Sequence, residues 1–267
     1  MPSVLYEKRD GIGWIRFNRP EVRNAVSSAE IAALTELLSA ASEDGDVEAI
    51  IVSGVGDTFS AGADLKEMVR EFEEMESRRL TITELIETTT EGLQQVARLM
   101  RRAKKLVIAS VQGYALGGGC EIALDCDLIV AAQDAKFGFP ETRAGMSVTG
   151  GVSKLLAQSI GAARARELIL TGRFIDAAEA LEIGMINRVV PTGQNDRAAV
   201  DLVREVRRGS PLSVVAHKRL LQQSLDADLE TALNLEKQSI GVLCTTEDAT
   251  EAVSAFVEKR EPAFKGR

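Results

Sequence analysis

The chain has 267 residues, 45% of them hydrophobic, and its 40 acidic side chains against 32 basic ones give a formal charge of -8. That length and apolar share supply one large core, or a core with an appended subdomain, and the net acidity argues against a nucleic-acid partner. No run approaches the roughly 18 uninterrupted apolar residues of a membrane span, and MPSVLYEKRDGIGWIRF alternates apolar with polar, so a soluble, unprocessed, cytoplasmic protein is expected. Cys120, Cys126 and Cys244 lack metal-ligand spacing and predict neither a disulfide framework nor a zinc site.

In chain order, VLYEKRD and GWIRFNR read as strands of a hairpin separated by Gly11-Ile12-Gly13. Ser27 and Glu30 have capping-box spacing, and Ile31, Leu34, Leu37, Leu38 and Ala41 recur at helical intervals through Ser42. AIIVSGV (49–55), LVIAS (106–110) and LIVAA (128–132) are short continuous apolar runs, the pattern of parallel strands buried on both faces. Helical patterns lie between them at 65–77, 80–103 and 118–125. From Val152 the pattern is mostly helical, with a break at Gly209-Ser210-Pro211 before a helix that begins near Leu212. The fold class is α/β, with a core over 1–195 and a helical region over 196–267.

GYALGGGCEIALDCDL (113–128) sets three glycines directly before a helix that opens with an acid. No GxxxxGK[ST] or GxGxxG occurs anywhere in the chain, so a phosphate loop is excluded. Two uses remain for Gly117, Gly118 and Gly119: a tight packing turn, or a close approach of backbone to ligand with free helix N–H groups aimed at an oxyanion. TFSAGADLKEM (58–68) has the same strand, turn and helix character and offers a second N–H. Two donors on one carbonyl oxygen would stabilise an enolate or a tetrahedral adduct. Glu121 and Glu141 are the acids positioned to share such a site; taken singly, each also suits a surface or capping role. Asp125 and Asp127 read as solvated or capping acids at a helix end, and no Ser or Cys motif points to a triad with His217.

Taken together, NRPEVRNA (18–25), SAGADLKEM (60–68), GYALGGGCEIALDCD (113–127), KFGFPE (136–141) and AFVEKREPAFKG (255–266) resemble the enoyl-CoA hydratase/isomerase (crotonase) superfamily, in the family's order and over nearly the whole chain. The resemblance implies a spiral of ββα units with a C-terminal helical oligomerisation region, assembled as a homotrimer or homohexamer. It implies an acyl-CoA thioester as substrate, with the thioester oxygen between the N–H groups of Ala63 and Gly118. It also implies Glu121 and Glu141 as the pair that holds the reacting water, Glu121 as base on water and Glu141 as donor to Cα. The reaction implied is hydration of a trans-2-enoyl-CoA, without metal or cofactor beyond the CoA that the substrate carries. Binding positions carried over are Val22, Arg23, Ala25, Ala61, Asp64, Leu65, Lys66, Leu116, Gly117 and Pro140, with Phe256, Lys259 and Arg260 reaching a site in another subunit. Lys66, Phe256, Lys259 and Arg260 read equally well as ordinary surface residues, the charged ones as solvated charges.

The chain departs from the family where many relatives carry Pro-Gly after the second glutamate: ETRAGMSVTGGVSKLL has Val148 and Thr149 there, and Arg143 two residues after Glu141. Thr149 still offers a backbone N–H, though its branched side chain adds bulk. The departure bears on the acyl group more than on the reaction class. The competing readings are a double-bond isomerase, a hydratase-lyase for an aromatic or branched acyl-CoA, and a CoA-binding, scaffold or RNA-binding protein without turnover.

Overall fold

A computed structural model describes residues 1–78 and 81–267 of the chain. It opens with a hairpin, β1 (Val4–Arg9) and β2 (Ile12–Phe17), whose turn falls on Asp10 and Gly11, at φ 53° and 72°, and not on Gly11-Ile12-Gly13. A two-residue turn matched to strand twist needs both residues left-handed, which Asp-Gly accepts and branched Ile12 resists. Ile12 and Gly13 instead pair with Arg9 and Lys8. Next come α1 (Ser28–Glu43), β3 (Ala49–Gly54), α2 (Leu65–Arg78), α3 (Ile82–Arg102), β4 (Leu106–Val111) and β5 (Tyr114–Leu116). The capping box at the start of α1 is formed as the sequence predicts, and position 80, the predicted start of α3, lies outside the described residues. Then follow α4 (Gly118–Asp125), β6 (Leu128–Ala132), β7 (Lys136–Gly138), α5 (Val152–Ile160), α6 (Ala162–Thr171), β8 (Phe174–Asp176), α7 (Ala177–Glu182), β9 (Arg188–Val190) and α8 (Asn195–Val206). The chain ends in α9 (Pro211–Ser224), α10 (Leu229–Leu243) and α11 (Glu247–Glu258).

Six strands form one sheet in the order β1-β2-β3-β4-β6-β9, parallel throughout except for the hairpin. A smaller sheet, β5-β7-β8, is extended by single parallel bridges between Val26 and Ala63 and between Ser60 and Ala115. Successive turns of chain thus add a long strand to one sheet and a short one to the other, which is the ββα spiral. Side chains of β3 alternate between two cores. Ile50 and Val52 pack with Leu34, Met100 and Phe59, while Ala49 and Ile51 pack with Trp14, Leu202 and Val203 beneath α8. Burial on both faces explains why the strand sequences show no polar alternation. Because α8 covers the second face, packing against the sheet continues past residue 195. Beyond it, α9 to α11 leave Leu221, Leu225, Leu229, Ile240, Val253 and Phe256 exposed. Among the described residues no helix is long and apolar enough to cross a membrane.

Candidate active site

The site is built where three loops at the ends of short strands meet. Asn24, buried and left-handed at φ 53°, accepts the Arg19 N–H at 2.8 Å and donates to the carbonyls of Val55 (3.0 Å) and Thr58 (2.6 Å), which pins the 19–25 turn to the 55–58 loop. The Arg19 guanidinium then ties three segments together, donating to Ala25 O at 3.1 Å, Glu30 Oε2 at 3.1 Å and Asp64 Oδ2 at 2.8 Å. Burial pushes Glu30 and Asp64 up, but their hydrogen bonds and the Arg19 charge outweigh it and hold both below the usual carboxylate range. Asp64 also accepts from the Lys66 and Glu67 N–H groups at the start of α2. Neither Arg19 nor Asn24 was singled out from sequence, although both lie in NRPEVRNA.

That network sets the aim of one backbone donor. Val26 N–H bonds Gly62 O at 2.8 Å and Asp64 N–H bonds Val26 O at 2.9 Å, so the parallel bridge spends its partners on the residues flanking Ala63. The Ala63 N–H is left facing the opposite way, and Ala63 lines the cleft. Gly62, at φ 92°, lies so close to the next loop that a Cβ there would meet Leu116 O at 2.6 Å.

The three glycines do three different things. Gly117 takes φ 51° and ψ -128°, a conformation open to glycine, with its N–H on Gly138 O at 2.9 Å and its carbonyl accepting from Glu121 N at 2.9 Å. Gly118 opens α4, so its N–H has no acceptor within the helix. Gly119 is the packing glycine: a Cβ would meet Ser60 O at 2.6 Å. The packing-turn reading of this stretch applies at Gly119.

Glu121 projects from the first turn of α4 and is only 2% exposed. Its carboxylate accepts from Thr149 N at 3.0 Å, Thr149 Oγ1 at 3.1 Å and Gly150 N at 2.6 Å. Burial raises its pKa, against the pull of those three donors. Glu141 sits on a short 3-10 turn, Pro140–Ala144, with Oε1 3.1 Å from where a Gly117 Cβ would stand and Oε2 buried with no hydrogen-bond partner among the described residues. Burial, with a smaller push from the Glu121 charge, lifts Glu141 to about 7. Asp125 is not the solvated helix-end acid that the sequence suggested; it is 5% exposed. Asp127 is also covered, and Lys218 pairs with it at 2.8 Å.

These groups border a cleft of about 720 Å³. Of the predicted positions, Ala61, Ala63, Asp64, Leu65, Gly117, Gly118, Glu121, Pro140 and Glu141 line it, joined by Arg143, Thr149, Leu93 and Met146. Val22, Arg23, Ala25, Lys66 and Leu116 do not. Arg23 lies over the Tyr114 ring at 5.5 Å, the Ala25 carbonyl is taken by Arg19, and Leu116 turns its carbonyl to Gly62. Phe256 on α11 and Lys259 just past its end are exposed and do not line the cleft of their own chain, and Arg260 pairs with Glu251 and Glu258. His217 is exposed, bonded to Ser213 O, and does not line the cleft. Among the described residues no group of three or more His, Cys, Asp or Glu could hold a metal ion.

A family model described as enoyl-CoA hydratase/isomerase matches residues 7–267. The chain belongs to that family. It is 34% identical over 267 residues to the 2,3-dehydroadipyl-CoA hydratase of Escherichia coli, covering 100% of both chains. It is 34% identical to the short-chain-enoyl-CoA hydratase of Clostridium acetobutylicum, over 99% of this chain and 98% of that one. The crystal structure of enoyl-CoA hydratase from Bacillus anthracis superposes with a TM-score of 0.90 at 31% identity, covering 100% of both chains.

The turn at 148–149 has a clear structural role. Val148 packs against the core, and Thr149 keeps the backbone N–H and adds its hydroxyl to the Glu121 carboxylate. Arg143 is tied to the end of α6, its Nε donating to Thr171 O at 2.8 Å.

Proposed function

We propose that the chain hydrates trans-2-enoyl-CoA to 3-hydroxyacyl-CoA. The observation that carries this reading is the contrast between two carboxyls in one cleft. Glu121 accepts from three donors that favour its ionised form against burial, which suits a base; Glu141 has a bare, buried oxygen and is lifted to about 7, which suits an acid.

With the thioester oxygen on Ala63 N–H and Gly118 N–H, Glu121 takes a proton from water as the water oxygen bonds to Cβ. The alkene electrons move to the thioester oxygen as an enolate, and Cα then takes the proton of Glu141. Each backbone donor contributes about 2.7–4 kcal/mol to the enolate-like transition state. Afterwards Glu121 carries the proton it took from water and Glu141 is ionised, so the two act as a pair that shares one proton, and transfer of that proton to Glu141 resets the site. Glu121 and Glu141 thus supply the proton transfers, and the CoA of the substrate is the one cofactor required.

The same reading places the protein in acyl-CoA metabolism of the cytoplasm, where three unpaired cysteines are at home. The exposed apolar side chains of α9 to α11 support assembly as a homotrimer or homohexamer. The test is product analysis in 18O-labelled water with crotonyl-CoA and a 3-enoyl-CoA. Label at C3 of a 3-hydroxyacyl-CoA is expected. Conversion of the 3-enoyl-CoA without label, and no reaction of crotonyl-CoA, would replace hydration with double-bond isomerisation.

A further inference from the structure

One buried acid has no part in the chemistry above. Asp125 lies one helical turn after Glu121 on α4, and both its carboxyl oxygens are buried without a hydrogen-bond partner among the described residues. An ionised carboxylate left in that condition is strongly unfavourable, whereas a protonated one is not. Gly150 stands between the two acids. A Cβ on it would lie 2.9 Å from Glu121 Oε2 and 3.6 Å from Asp125 Oδ2, and its N–H is already given to Glu121 at 2.6 Å. Thr149 gives both its donors to Glu121 as well. The 149–150 turn therefore supplies hydrogen bonds for one anion and is flanked by two acids.

The other charged groups around Asp125 do not neutralise it. On its own segment are Glu121 and, past the helix end, Asp127, which is bound by Lys218 of α9. From α3 comes Arg101, whose charge reaches Asp125 without an ion pair. From α5, Lys154 is taken by Asp226 at 2.6 Å, and β5 carries no charge.

We infer that Asp125 keeps its proton in the working enzyme and serves as a positioning residue for Glu121, its neutral carboxyl leaving every donor of the 149–150 turn to the catalytic base. Burial, reinforced by the charge of Glu121, lifts Asp125 to about 8. Above that pH an ionised Asp125 competes for the Gly150 N–H and sets a second anion beside Glu121. The folded value lies above the unfolded 3.8, so the stability linked to this group is complete below about 3.8 and declines as pH rises to about 8. The kinetic part of the inference rests on the hydratase reading; the protonation of Asp125 does not.

The test compares full-length wild type with Asp125→Asn, which mimics the neutral acid, and with Asp125→Ser should the first not fold. Thermal unfolding is measured at about pH 5 and about pH 9, and kcat/KM for crotonyl-CoA across the same range. The wild-type midpoint is expected to drop between the two pH values by at least about 5 °C more than that of the variant. Above about pH 8 the wild-type kcat/KM should fall about tenfold more per pH unit than that of the variant. Infrared spectra of the wild type near neutral pH should show a carboxylic-acid carbonyl band that Asp125→Asn lacks.

Coincident stability profiles, or absence of that band, would overturn the protonation. A stability difference with coincident rate profiles would overturn the positioning role. A wild type with no hydratase activity would count against the hydratase reading and, with it, against the positioning of a base; stability and infrared would still decide whether Asp125 holds its proton.

Discussion

Replacing Arg19 with Met should loosen the site from a position that touches no reacting atom. The guanidinium side chain is 24% exposed and its partners Glu30 and Asp64 are 6% and 13% exposed, so the substitution leaves two largely covered carboxylates without their cation. Breaking a fully buried pair costs about 3–5 kcal/mol and an exposed one about 1 or less; partial exposure and the remaining donors from Ser27, Lys66 and Glu67 place this case at about 2–4 kcal/mol. For a chain of this size that is a fall in Tm of about 4–12 °C at fixed protein concentration. The pH dependence has a definite sign. Glu30 and Asp64 are held below their unfolded values in the folded protein, so they add stability above the ordinary carboxylate range and lose it as pH falls through their depressed values. The gap between wild type and Arg19→Met should thus be widest near neutrality and narrow below about pH 4. Paired thermal melts across that range are the assay. A shift under about 2 °C, or a gap independent of pH, would refute the reasoning.

The glycines separate by their surroundings. Gly119→Ala drives a methyl to within 2.6 Å of Ser60 O and should cost about 1–3 kcal/mol in denaturant melts, whereas at Gly118 the methyl meets Leu93 at 3.4 Å and the midpoint should not move. Equal midpoints for the two variants would contradict these packing roles. Thr149→Val removes the hydroxyl bond to Glu121 while keeping the N–H, and kcat should drop about tenfold, with Thr149→Ser restoring it; no drop in the Val variant would remove the hydroxyl from the account. Because the active pair carries one proton, kcat/KM for hydration should decline as pH rises through about 7, where Glu141 loses its proton. Dehydration of the 3-hydroxyacyl-CoA, followed by appearance of the conjugated absorbance, should show the same profile, and different profiles in the two directions would exclude a shared proton.

Local signals in the sequence carried most of the fold. The capping box of Ser27 and Glu30, the apolar runs of β3, β4 and β6, and the Ser210-Pro211 start of α9 are features whose cause lies within a few residues, and each appears where expected. What was missed depends on partners distant in sequence. The strands β5, β7, β8 and β9 have three residues each, too few to show a period, and exist because neighbouring turns of the spiral pair with them. Glu121 and Glu141 were legible as candidates, but the contrast between them was not, since it comes from the 149–150 turn that supplies donors to one and not the other. Arg19 carries no local signal of its role, because only the fold brings Glu30 and Asp64 to it. Asp125 was misjudged for the same reason: its place at a helix end suggested solvent, and burial by packed neighbours is invisible in the spacing of α4.

The central claim, that two differently held carboxyls add water to a conjugated thioester, is tested most directly by one experiment. Purified protein is mixed with crotonyl-CoA and the loss of conjugated absorbance followed, alongside Glu121→Gln and Glu141→Gln variants whose folding is checked by thermal melts. Rapid loss in the wild type and a fall of at least about a hundredfold in each variant is the predicted result. Loss at a near wild-type rate in either variant would contradict the two-carboxyl account, and no loss in the wild type would contradict hydration itself.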